Sequence, residues 1–188
     1  MRRAVEALGE AGYVDIGMDH FALPGDELAV AQRQGRLVRD FQGYSASGEC
    51  DLIGLGVSSI GRIGPAYVQN VKELDGYYAC LEQGRLPVLR GLEADRDDLA
   101  RRAVIQALAC HFALAKESIE IAWLLDFDAY FATELADLRK LEADGLVKLD
   151  DGWIHVTEAG RPLVRAVCMV FDKYLRAAEA RNRFSRVM

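Results

Sequence analysis

The sequence predicts a mixed α/β chain in two parts, a glycine-rich α/β half followed by a mainly helical half in winged-helix order. Three observations carry this. The apolar run from Asp51 to Gly64 is threaded with glycines and serines instead of alternating with charges. Between residues 2 and 22 a short amphipathic helix passes through a turn into a strand. Beyond about residue 93 the glycines thin out and helical periodicity takes over.

Composition narrows the function classes. A chain of 188 residues, 51% of them apolar, can bury a substantial core as one domain or two small ones. The net charge of −6 gives a field that repels nucleic acid and anionic lipid, so neither is expected as a partner. No apolar run is long enough to span a bilayer, and Met1-Arg-Arg leads into Glu6 and Glu10 without a signal-peptide core, so a cytoplasmic protein is predicted. Cys50, Cys80, Cys110 and Cys168 form no CxxC, and His20, His111 and His155 form no HxxxH or HExxH. Buried reduced thiols are expected, and no metal site is predicted.

Residues 2–11 place Val5, Leu8 and Ala11 on one helical face and stop at Gly12. A strand over Tyr13–Met18 follows, with Asp19-His20 at its polar end. At the carboxyl end of a parallel strand that pair would suit a binding site, and in a loop it would suit an anchor. A helix is predicted over 26–38 with Leu28, Ala31 and Leu37 inward. Phe41-Gln42-Gly43-Tyr44 then suits either lining a pocket or packing a loop, before the polar stretch Ser45–Glu49. The run 51–64 reads as a buried strand with two tight turns, or as backbone that a small ligand approaches closely. Gly54, Gly56, Gly61 and Gly64 serve either purpose. A helix over 72–83 ends at Gly84, and Pro87–Glu93 reads as a connection.

Asp95 or Asp97 caps a predicted helix to about residue 113, with Leu99, Ala103, Ile105, Leu108 and Phe112 on its apolar side. Helices over 118–125 and 127–143 follow. Leu146–Leu149 and Trp153–Val156 then form a hairpin about Asp150-Asp-Gly152, and Thr157 caps a last long helix. Helix, helix, helix, hairpin, helix is winged-helix order. Between Asp126 and Asp144, six acids face two bases, a net charge of minus four where phosphate contact needs the opposite sign. Lys173, Arg176, Arg181, Arg183 and Arg186 gather near the end, as a solvated face or as a contact for a carboxylated ligand.

Several segments together carry a family resemblance: Tyr13–Ala22, Asp26–Gln32, Phe41–Tyr44, Asp51–Gly64, Val104-Ile105, Gly145–Val147, Val156-Thr157, Gly160-Arg161 and Phe184–Val187. Over essentially its whole length the chain resembles the C-terminal part of the HemN family of oxygen-independent coproporphyrinogen III oxidases, radical S-adenosylmethionine enzymes of haem biosynthesis. Met18–Phe21 and Phe41–Tyr44 look like the oxidase branch more than the related haem-chaperone branch. The resemblance implies the C-terminal end of a radical SAM partial (β/α) barrel over 1–88 and a HemN-type helical, winged-helix-like domain over 89–188. The alternatives are a non-catalytic winged-helix binding module and a haem-chaperone relative.

The resemblance also implies a cofactor chemistry. The complete enzyme would use a [4Fe–4S] cluster, held by a CxxxCxC motif, and S-adenosylmethionine to decarboxylate propionate side chains of coproporphyrinogen III, giving protoporphyrinogen IX. No such cysteine spacing occurs here, so Met1 is expected to begin a truncated form that binds no cluster and is inactive alone. Two matched positions, Gln42 and Ile60, are implied to contact S-adenosylmethionine; the catalytic residues stay unassigned. An electron donor of unknown identity and a monomeric state are also expected. An opened barrel should expose apolar strand edges, with residues 95–180 folding independently and the first eighty poorly.

Overall fold

The computed structural model describes residues 2–48 and 50–179, which form two compact units. One comprises residues up to 46 together with those from 100 onward, and the other comprises residues 47–99. This grouping follows contacts, whereas the division into 1–88 and 89–188 rests on resemblance. Glu49, Arg181, Arg183, Arg186 and the Phe184–Val187 ending lie outside the described residues.

In the first unit, helix α1 (Arg2–Glu10) stops at Gly12, whose φ of +82° favours glycine, and strands β1 (Val14–Gly17) and β2 (His20–Ala22) follow. These strands pair antiparallel, because Met18 (φ +43°) and Asp19 (φ +68°) are both left-handed and reverse the chain between them. Asp19 and His20 therefore sit at a hairpin turn, not at the end of a parallel strand. Asp26 caps α2 (Glu27–Arg33) by accepting the Leu28 N–H at 2.9 Å. Gly35, left-handed at φ +68°, follows the end of this helix, which is shorter than the predicted 26–38. Leu37 is buried as expected, but beyond the helix. It packs with Ile16, Ala22, Ala29, Ala31 and Cys110. Strands β3 (Val38–Arg39) and β4 (Tyr44–Ser45) form a second small hairpin.

The helical half is a winged helix. Helix α4 (Arg96–His111) buries Ala100, Val104 and Leu108, while Ala103 and Ile105 are only partly covered. It touches two cores: Cys110 belongs to the cluster just described, and Leu108 to the larger one. Strand β8 (Ala113–Ala115) is absent from the sequence reading because it pairs with a strand about forty residues away. Helix α5 (Lys116–Trp123) ends at left-handed Leu124, and the expected helix over 127–143 breaks at Phe131 into α6 (Phe127–Tyr130) and α7 (Ala132–Ala143). The wing, β9 (Val147–Leu149) and β10 (Trp153–Val156), completes a sheet of order β8-β10-β9. Thr157 braces a turn, accepting the Gly160 N–H and donating to the Gly145 carbonyl, before a 3₁₀ turn (Arg161–Leu163). The last helix is two short ones, α8 (Val164–Met169) and α9 (Lys173–Glu179). Asp172 interrupts them by accepting the Tyr174 and Leu175 N–H groups.

The second unit is an antiparallel sheet of order β5-β6-β7, built from Ile60–Ile63, Ala66–Asn70 and Val88–Glu93, with helix α3 (Leu74–Glu82) closed by Gly84. The run 51–64 contributes β5 but is not wholly buried: Ile53 is 72% and Leu55 84% exposed. Segment 53–58 is held through its backbone, Asn70 donating to the Gly54 and Gly56 carbonyls and Tyr77 accepting the Gly56 N–H. Pro87–Glu93, predicted as a connection, supplies β7. All six residues of that strand are exposed, including Val88, Leu89 and Leu92.

Candidate functional site

Gln42 stands at the tip of the β3–β4 hairpin, in a turn made almost entirely by Asp40. The Asp40 carboxylate accepts the Gln42 N–H at 2.7 Å and the Gly43 N–H at 3.2 Å, and the Asp40 N–H donates to the Gly43 carbonyl at 2.9 Å. With both backbone donors occupied, the exposed Gln42 carboxamide is free to offer a donor and an acceptor to a polar group. Phe41 beside it is 58% exposed.

Behind the turn lies a stacked polar layer. The Arg39 guanidinium sits 4.7 Å over the Tyr44 ring, and His20 meets the same ring edge-on at 5.2 Å. The Tyr44 hydroxyl donates to the Ala109 carbonyl at 2.9 Å, and burial pushes its pKa up. The Gln106 side chain clasps the Arg39 backbone, accepting its N–H at 2.9 Å and donating to its carbonyl. One guanidinium nitrogen of Arg39 is buried without a hydrogen-bond partner. Nearby, burial raises the Asp15 carboxyl above its usual range, although the Gly17 N–H and the Arg161 charge pull the other way. The structure thus gathers His20 with the Phe41–Tyr44 segment. Sequence reading missed Arg39 and Gln106, because a lone Arg in a short strand and a lone Gln on a helix carry no distinguishing pattern.

Ile60 lies in the other unit, at the start of β5 opposite Gln69, and is half-buried. Next across the sheet stands Arg90, whose Nε donates to Gln69 Oε1 at 2.9 Å. The glycines near Ile60 serve the chain's own packing. A Cβ on Gly54 would stand 2.9 Å from the Ile60 carbonyl oxygen, and one on Gly61 would stand 2.9 Å from that of Leu52.

The donor set does not fit an iron–sulfur cluster. Among the described residues no three His, Cys, Asp or Glu side chains converge to hold a metal. Cys50 is exposed, Cys80 half-buried, and Cys110 and Cys168 are buried. Burial pushes the Cys110 and Cys168 thiols up to about 12, which keeps them protonated where cluster ligation needs thiolates.

Residues 94–163 match the HemN C-terminal domain family. Over all 188 residues the chain is 53% identical to an oxygen-independent coproporphyrinogen III oxidase of Pseudomonas aeruginosa and 48% identical to that of Escherichia coli K12. It spans 41% of the length of each. A solved structure, described as coproporphyrinogen III oxidase (HemN) from Escherichia coli and as a radical SAM enzyme, superposes with a TM-score of 0.89 at 49% identity. That superposition covers 92% of this chain and 40% of the other.

Proposed function

The chain resembles, along its whole length, the C-terminal part of the HemN-type oxygen-independent coproporphyrinogen III oxidases, and from that premise we propose that it serves as that part of such an enzyme. The reaction is oxidative decarboxylation of coproporphyrinogen III to protoporphyrinogen IX. Identity of 53% over every residue supports this reading most.

In this reading residues 1–88 complete a radical SAM barrel and residues 89–188 form the appended helical domain. A [4Fe–4S] cluster held elsewhere in the enzyme, together with S-adenosylmethionine, would supply the oxidising chemistry. This chain's own task is positional. Gln42, presented by the Asp40 turn, hydrogen-bonds the cofactor, and Ile60 offers it a backbone or apolar contact. The enzyme works as a cytoplasmic monomer with a separate electron donor and needs neither nucleic acid nor membrane. The net charge of −6 weighs against nucleic acid and anionic lipid as partners of this chain, and no described helix is long and apolar enough to cross a membrane.

The test is turnover and S-adenosylmethionine binding by the full-length enzyme bearing Gln42→Leu or Ile60→Asp. Losing the Gln42 hydrogen bonds should cost about 1–3 kcal/mol, or about 5- to 150-fold in affinity or turnover. Ile60→Asp, which brings an unpaired charge into the sheet, should also lower binding. Iron content should stay at the wild-type level in both. Wild-type binding and turnover by Gln42→Leu would remove that residue from the site.

A further inference from the structure

In the hairpin that carries Gln42 only β4 has an apolar anchor, Tyr44, which packs against the smaller core cluster; β3 and the turn have none. None of residues 38–43 belongs to either hydrophobic cluster, and the β3–β4 ladder is only two residue pairs long, too short to hold by itself. What fixes β3 is helix α4. Gln106 presents a carboxamide to the outer edge of β3 and supplies both hydrogen bonds that a neighbouring strand would make to Arg39. One helical turn further on, the Ala109 carbonyl accepts the Tyr44 hydroxyl, so both strands are tied to one face of α4.

The chemistry of position 106 is narrow. Arg39 offers a donor and an acceptor side by side, and a primary amide, with its oxygen and nitrogen on one carbon, answers both at once. Glutamate has no donor, lysine and arginine have no acceptor, and asparagine is one methylene shorter. Arg39 is followed directly by Asp40, whose carboxylate organises the turn through the Gln42 and Gly43 N–H groups. A displaced Arg39 backbone would therefore move Asp40 and with it Gln42.

We propose that Gln106 is a positioning residue for the cofactor-contacting turn, through which the first helix of the HemN-type C-terminal domain sets the place of Gln42. This rests on the reading of Gln42 as a cofactor contact. It gives the helical domain a part in cofactor binding although Gln106 itself touches only protein.

A double-mutant cycle in the full-length enzyme tests it, reading S-adenosylmethionine affinity and, separately, backbone hydrogen exchange. Gln106→Leu should weaken binding about tenfold when Gln42 is present and less than about twofold in the Gln42→Leu background, because its effect passes through that side chain. Exchange at the Gln42 and Gly43 amides should rise about tenfold. Gln106→Glu, which keeps the acceptor for the Arg39 N–H, should fall between Gln106→Leu and wild type, and it carries the test if Gln106→Leu does not fold. Equal weakening in both backgrounds overturns the proposal in favour of a general structural role. If Gln42→Leu weakens binding and the 106 variants do not, positioning is wrong while the cofactor reading stands. If Gln42→Leu leaves affinity unchanged, the cofactor reading falls and takes this inference with it.

Discussion

Gly160 packs against Leu146 so closely that the backbone of one occupies the space a side chain on the other would need. A Cβ at position 160 would fall far inside van der Waals contact with the Leu146 carbonyl oxygen, and 3.1 Å from a Val156 methyl. The Thr157 N–H donates to that same Leu146 carbonyl at 3.0 Å, so the carbonyl is already committed.

Gly160→Ala should therefore destabilise the winged-helix unit by about 3 kcal/mol, at the upper end for overpacking, because backbone must move instead of a flexible side chain. Chemical denaturation measures this. Gly152→Ala, where a Cβ meets nothing within 4 Å, is the control and should cost far less. Equal midpoints for the two variants would contradict the packing argument.

The Arg101–Glu134 ion pair, at 2.8 Å with side chains only 15% and 6% exposed, joins α4 to α7. Arg101 also donates to the Phe171 carbonyl and lies 5.4 Å over the Phe131 ring. Arg101→Met leaves the buried Glu134 carboxylate only the more distant Arg176 guanidinium, at 3.9 Å, and should cost about 3 kcal/mol, the lower end for breaking a buried pair. The double change with Glu134→Leu should recover most of that loss, since it removes the poorly paired buried charge, and Arg176 keeps its Asp137 partner at 2.9 Å. A double variant no more stable than Arg101→Met would mean that Arg101 acts through packing instead.

The thiols should divide by exposure. Cys50 should be alkylated rapidly in the native protein, Cys80 more slowly, and Cys110 and Cys168 only after denaturation, because burial holds the last two protonated at neutral pH. Anaerobic reconstitution of this chain with iron and sulfide should leave it without stoichiometric cluster. Mass spectrometry after timed labelling, and iron counting, check the two statements. Rapid labelling of Cys110 would show that the packing of α4 against β1 and α2 opens readily.

Burial also holds the His111 imidazole below its usual pKa, outweighing a hydrogen bond involving Gln32 that acts in the opposite direction. The unfolded chain then takes up the proton more readily than the folded one. This contribution to stability is complete above the unfolded value of about 6.5 and is lost as pH falls from there through the folded value. His111→Phe should flatten the decline that sets in as pH falls below about 6.5. Asp15, raised by burial, has the opposite sign: its ionised form is disfavoured in the fold, so its cost lessens on acidification toward its unfolded value near 3.8. Denaturation midpoints at several pH values separate the two, and an unchanged acid slope in His111→Phe would exclude His111 as the source.

Some of the local chemistry was legible in the sequence, though the early end of α2 before Gly35 and the break at Asp172 were not. Asp95 caps α4 by accepting the Asp98 N–H at 2.7 Å, Gly84 and Gly145 follow helix ends, and the turn around Asp150–Gly152 joins β9 to β10. Each of these depends on one side chain and the backbone within a few residues of it. The family resemblance was likewise a property of the ordered residues alone, and the comparisons agree with it. The tertiary structure decided what depends on distant partners. Strand β7 exists because β6 pairs with it, and β8 because β10 does. Leu108 is buried as its place on the predicted stripe implied, but the burial of Val104, off that stripe, was decided by elements packing on more than one side of α4. Above all, the grip of Gln106 on Arg39 spans 67 residues. A carboxamide on a helix looks the same in sequence whether it faces water or completes a sheet, and only folding brings its partner within reach.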